Sequence, residues 1–163
     1  MKVIFDLDNT LFFTNDKYGN HIWAKQMVQP FIHNEDEQGE YVTDDVGSVC
    51  RLRDGAKQFL TSLKSAGTDV GFLSNGRALC LRDDQQPSLV LLKIFELYDE
   101  FDLCRILQYK TASKVDALQN LYDTHDYVFF DDNNDVIASL REAGITVIDA
   151  KKDLSLKAIQ LHD

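Results

Sequence analysis

Short apolar runs that end in acidic or polar residues alternate with helix-like segments along most of this 163-residue chain. That alternation restricts it to a parallel sheet with helices on both faces, an α/β architecture. KVIFD (Lys2 to Asp6) is a short apolar run that stops abruptly in carboxylates, as a buried strand does. Residues 54–66 space Phe59, Leu60 and Leu63 for one helical face, with Gly67 as the stop signal. DVGFLSN (Asp69 to Asn75) predicts a second strand, Ser88 to Tyr98 a second helix, and the stretch from Phe101 to Leu107 a third strand. Thr111 or Ser113 can cap the next helix, which runs through Val115, Leu118 and Leu121. YVFFD (Tyr127 to Asp131), a helix from Asp135 to Ala143 stopped by Gly144, and ITVID (Ile145 to Asp149) continue the pattern. A terminal helix is expected after Asp153. The length suits one domain, residues 1–163, with one core.

Residues 12–50 break the alternation. They show no clear period, and so long an irregular stretch in a compact domain is usually a functional flap or an insertion. A short helix within His21 to Phe31, ending before Pro30, is expected there. Between Asn34 and Asp45 six side chains are acidic and none is basic, which reads as a solvated loop.

The overall charge of −10 repels nucleic-acid phosphates and anionic membranes at long range, so nucleic acid is a disfavoured partner. No apolar run approaches the roughly 20 residues that span a bilayer, and no secretory leader pattern opens the chain. A cytoplasmic location is therefore expected. Cys50, Cys80 and Cys104 lie far apart and form no C-x-x-C pair, which predicts isolated thiols and no zinc site.

In open parallel sheets ligands bind beyond the carboxyl ends of the strands. The first strand delivers Asp6, Asp8 and Thr10, and the second Ser74, Asn75 and Arg77. Lys110 and Lys114 follow the third, while Asp131, Asp132 and Asp135 follow the fourth. Each group alone has an ordinary reading: a polar loop, a turn, a solvated lysine, a helix cap. Together they crowd carboxylates, a hydroxyl and an ammonium on one rim. Two like charges at 4 Å repel by about 4 kcal/mol at an effective dielectric of 20, so such a rim calls for a cation. Magnesium fits, because it takes few protein carboxylates and accepts phosphate oxygens as further ligands.

These residues resemble the haloacid dehalogenase-like phosphohydrolase superfamily: the D-x-D-x-T signature at Asp6 to Thr10, the strand-ending Ser74, the helix lysine Lys114 and the acidic motif Asp131 to Asp135. Within it, FDLDNTL, CRLRDGAKQFLTSL, ASKVDAL and VFFDDN are similar to the capless magnesium-dependent phosphatases. The chain departs from that group in the longer, more acidic stretch at 12–50. It also has Asn-Gly-Arg after Ser74, where the group has arginine directly.

The resemblance implies a Rossmann-like sheet without a large cap domain and a phosphatase that passes through an aspartyl phosphate. It implies that Asp6 is the nucleophile and that Asp8 is the acid and base. Magnesium would be held by Asp6, the Asp8 carbonyl and Asp132. Asp131 would be a direct ligand or stand behind it, with Asp135 supporting from behind. Ser74 and Lys114 would bind phosphate, with Thr10 bracing the loop and Asn75 and Arg77 available to the substrate. Lys114 is preferred to Lys110 because it starts a helix behind a Ser113 cap. The substrate would be a phosphorylated small molecule or a phosphoprotein. A phospho-accepting receiver-like domain and a catalytically silent binding module are the alternatives.

Overall fold

The structure, a computed structural model, describes residues 1–76, 85–97, 103–107, 113–121, 126–152, 154 and 158–159, with backbone alone at 103–107 and 121. Five parallel strands form the main sheet in the order β7-β6-β1-β8-β9: β1 (Lys2–Phe5), β6 (Asp69–Asn75), β7 (Leu103–Leu107), β8 (Tyr127–Asp131) and β9 (Thr146–Asp149). β1 is central, with Phe5 in register with Phe72 of β6 on one side and Phe130 of β8 on the other.

Alternation along β1 sends successive side chains to opposite faces. Val3 and Phe5 pack with Phe59, Leu60 and Leu63 of α1 (Ala56–Ser65) and share their cluster with α2 (Pro87–Ile94). Ile4 packs on the other side with Ala117 and Leu118 of α3 (Lys114–Leu121) and Ile137 and Leu140 of α4 (Asn134–Glu142). Phe5 stacks on Phe130 at 5.1 Å, and Phe59 meets both rings edge-on at 5.8 Å, a favoured aromatic geometry directly beneath the strand ends. Gly67 and Gly144, expected to stop helices, have φ of 75° and 80°, the left-handed conformation that such stops require.

Residues 12–50, where an irregular flap or insertion is expected, carry regular structure. They contribute most of a second, four-stranded antiparallel sheet in the order β2-β5-β4-β3: β2 (Phe12–Asn15), β3 (Ile32–Asp36), β4 (Gly39–Thr43) and β5 (Val49–Leu52). The expected helix within 21–31 is absent; a single 3-10 turn, Ala24–Gln26, stands there instead. The acidic segment is no loop either, because β3 and β4 form a hairpin across it. One face of this sheet is apolar: Phe12, Val42 and Cys50 join Ala24 and Met27 in the cluster of α1 and α2. The second sheet is thus anchored to the core, so it cannot be a freely hanging lid. The expected terminal helix falls mostly outside the described residues, though Ala158 and Ile159 are helical and buried. Among the described residues no helix is long and apolar enough to cross a membrane.

Candidate active site

The turn after β1 is tight. The Leu7 carbonyl accepts from Thr10 N and Leu11 N, and Asn9 adopts φ of 59°, a left-handed conformation that asparagine tolerates better than most residues. This bend sets Asp6 and Asp8 at the rim of a depression of about 270 Å³. β6 brings Ser74 and Asn75 to the same depression, α3 brings Lys114, and the end of β8 brings Asp131 and Asp132.

Lys114 organises the centre. Its Nζ donates to Asp6 Oδ1 at 2.7 Å and to Asp131 Oδ2 at 2.8 Å. The Ser113 hydroxyl caps α3 by accepting from Asp116 N at 3.1 Å, so the helix begins at Lys114 and aims it at the rim. Burial would lower the lysine's affinity for its proton, but Asp6 and Asp131 outweigh that and raise it above the ordinary value. Asp131 is fully buried, and its second oxygen accepts from Asn133 N at 2.9 Å. Asp6, Asp131 and Asp132 can each place a carboxylate oxygen within 4.8 Å of the others.

One ammonium does not balance three carboxylates. Burial pushes Asp6 well above the usual carboxylate range, Lys114 opposes this, and Asp131 adds to it. Asp132 is raised by burial and then by Asp131. An all-oxygen cluster with surplus negative charge fits a hard divalent ion such as magnesium. Asp8 stands apart from this cluster. Its Oδ1 accepts from Ala24 N at 2.8 Å, across from the 3-10 turn. Burial raises it to about 6, and the Ala24 hydrogen bond holds it down from going higher.

Two expected residues do not line the depression. Thr10 is fully buried beneath the bend, does not line the depression, and gives its carbonyl to Arg53. A direct contact with phosphate is therefore not available to it, although a bracing position is. Asp135 is exposed in the first turn of α4, where its N–H caps onto Asn133 Oδ1 at 2.9 Å, and it lines a neighbouring depression. That depression shares Asn75 and Lys114 with the first. Arg77 and Lys110 lie outside the described residues.

Several contributors were not anticipated. Trp23 and Lys25 reach the depression from the second sheet's 3-10 turn, and Ala24 acts through its backbone N–H alone. Arg53 clamps the bend after β1 to the end of β9, donating to Thr10 O at 3.2 Å and Ala150 O at 2.7 Å. Lys151 donates to the Asp132 carbonyl and to Asn134 Oδ1. Asn133 caps α4, so the acidic motif is a helix cap and a carboxylate cluster at once. Asn133 had a signal in that motif; contacts to backbone carbonyls leave none.

The chain matches the acid phosphatase family over residues 1–161. Among solved structures it is similar to an uncharacterized protein from Listeria monocytogenes serotype 4b, at 20% identity and a TM-score of 0.55, covering 90% of this chain and 76% of that one. It is also similar to a haloacid dehalogenase-superfamily hydrolase from Ehrlichia chaffeensis, at 16% identity and a TM-score of 0.56, covering 99% and 97%. At these identities the likeness speaks for the fold. A search of curated proteins finds no match.

Proposed function

The chain belongs to the acid phosphatase family, within the haloacid dehalogenase-like phosphohydrolases, and on that premise we propose that it hydrolyses phosphate monoesters with magnesium through a phosphorylated Asp6. The observation that carries this reading is the position of Lys114 Nζ, at 2.7 Å from Asp6 and 2.8 Å from Asp131, with the Asp132 carboxylate alongside. A nucleophile, a cation-binding group and a phosphate-binding ammonium thereby meet at one point.

Asp6, Asp131 and Asp132 would hold the magnesium ion, which supplies positive charge to the phosphoryl oxygens when bound. Asp6 attacks phosphorus while the bond to the leaving oxygen breaks, and the protonated Asp8 gives that oxygen its proton. Water then attacks the phosphoaspartate, Asp8 takes the water's proton, and the bond between phosphorus and Asp6 breaks to release inorganic phosphate. Asp8 suits both halves because burial brings it to about 6, where both protonation states are populated near neutrality. Lys114 and Ser74 bind the non-bridging oxygens, where charge builds as the phosphoryl group transfers. The substrate is a phosphorylated small molecule or a phosphoprotein.

The test is direct. Wild-type protein quenched in acid during turnover of a radiolabelled ester with magnesium should retain a hydroxylamine-labile phosphate. Asp6→Asn should retain none and should lose at least about 10³-fold in kcat. Substantial activity in Asp6→Asn would remove Asp6 from the nucleophile's role.

A further inference from the structure

Resting on the phosphatase reading, with its magnesium cluster of Asp6, Asp131 and Asp132, we infer that Lys151 is a positioning residue for the metal. It grips the peptide that carries Asp132 and so sets how tightly the ion is held. The three carboxylates are not equally anchored. Asp6 directly follows β1 and Asp131 ends β8. Both accept from Lys114 Nζ, at 2.7 Å and 2.8 Å, and Asp131 also accepts from Asn133 N at 2.9 Å. Asp132 is placed differently. It is half-buried, one residue past the end of β8, in the short link to α4. The ion pairs of Lys114 go to the other two carboxylates.

Lys151 holds that link. Its Nζ donates to the Asp132 carbonyl and to Asn134 Oδ1, and it pairs with Asp149 Oδ1 at 3.0 Å. An ammonium has three N–H groups, and here there are three acceptors for them. Asp149 ends β9 in register with Asp131, and Ala150 N donates to the Asp131 carbonyl at 2.8 Å. β9 is thus fastened to β8 as far as Asp131, and Lys151 extends the fastening across Asp132. A single surface ion pair would contribute little. Three acceptors on one ammonium, one of them the backbone of a metal-binding residue, fix a direction as well. Groups that orient a metal ligand from behind typically matter about 10–100-fold in affinity.

The two effects of this lysine on a bound cation have opposite signs. Its charge repels the ion, and its grip on Asp132 favours it. A lysine that acted by charge alone would, once removed, leave magnesium bound more tightly. A positioning lysine, once removed, leaves it bound more weakly.

Magnesium alone, titrated calorimetrically into the metal-free full chain, reads that sign. Lys151→Met should weaken binding about tenfold, and Lys151→Arg should recover part of the loss. Lys152→Met removes the same charge from the next residue and should not weaken binding. The turnover lost in Lys151→Met should return as magnesium is raised, because Asp6 and Lys114 are untouched. Unchanged or tighter binding in Lys151→Met would overturn the positioning role and leave the phosphatase reading standing. So would an equal weakening in Lys152→Met, or a loss of turnover that magnesium does not restore. Neither binding heat nor magnesium-dependent turnover in the wild type would overturn the magnesium-dependent reading and the inference with it.

Discussion

β8 and β3 are both five-residue strands, yet every position of Tyr127–Asp131 is buried while four of five in Ile32–Asp36 are exposed. β8 runs between β1 and β9, with helices over both faces. β3 is an edge strand, where polar and charged side chains discourage pairing with another chain. The difference teaches where each kind of work is done. Strand ends backed by a stacked aromatic core present Asp6 and Asp131, Lys114 at the start of α3 pairs with both, and among the described residues the segment that carries the second sheet lines the depression through Trp23 and Lys25 of one turn. The proposed chemistry sits at the ends of the buried parallel strands, and the second sheet stands beside it.

Lys114→Met cuts deepest into the parallel side of that contrast. It removes the ammonium proposed to bind phosphate and leaves Asp6 and Asp131 buried without their partner. Turnover should fall by about 10²–10³-fold, and without magnesium the fold should lose about 3–5 kcal/mol, read by denaturant unfolding. A variant that kept its stability would show that the ammonium does not hold this side together.

Asp8→Asn separates function from stability. Because burial raises Asp8 to about 6, folding grows less favourable as pH rises from about 3.8 through that value. The neutral amide escapes this loss. Turnover should drop by about 10²-fold while the Tm of the metal-free protein at pH 7 rises by about 3 °C. A lower Tm would mean that the charged form is the stabilising one.

The bridge between the two sheets is tested by Ala24→Pro, which deletes the N–H donated to Asp8. Trp23 already has φ of −84° and ψ of 143°, a conformation that a following proline accepts. For an ester with a poor leaving group, kcat/KM in the wild type should fall as pH rises past about 6, because the acid must start protonated. In the variant that limb should move to higher pH, since a hydrogen bond favouring the carboxylate is gone. An unmoved limb would disconnect the second sheet from the proton transfer. The smallest effect belongs to Arg51→Ala, which breaks a surface pairing with Asp36 at the outer side of the second sheet. Turnover should stay within error of the wild type, and a large loss would place catalytic support far from the depression.

The parallel sheet was legible because its strands are buried on both faces and so appear as continuous apolar runs, as in YVFFD and VIF. The second sheet was not. In β2 only Phe12 and Thr14 turn inward, and β3 reads IHNED, with none of the apolar alternation that marks a half-buried strand. A hairpin in which Val42 is the one fully buried side chain leaves little hydrophobic trace. The carboxylates and Lys114 could be found because their chemistry demands those residue types at strand ends. Arg53, Lys151 and Ala24 act on or through the backbone, and any residue type offers a carbonyl or an N–H. Trp23 was hidden by the same failure, because its place depended on a turn mistaken for a helix.

The hydrogen bond from Ala24 to Asp8 makes the enzyme's acidity depend on how its neighbour sits. A ligand that wedged the turn upward would also change the readiness of Asp8 to part with its proton. A molecule of the wrong shape would then be penalised twice, once for poor contact and again for arriving at a proton donor out of tune.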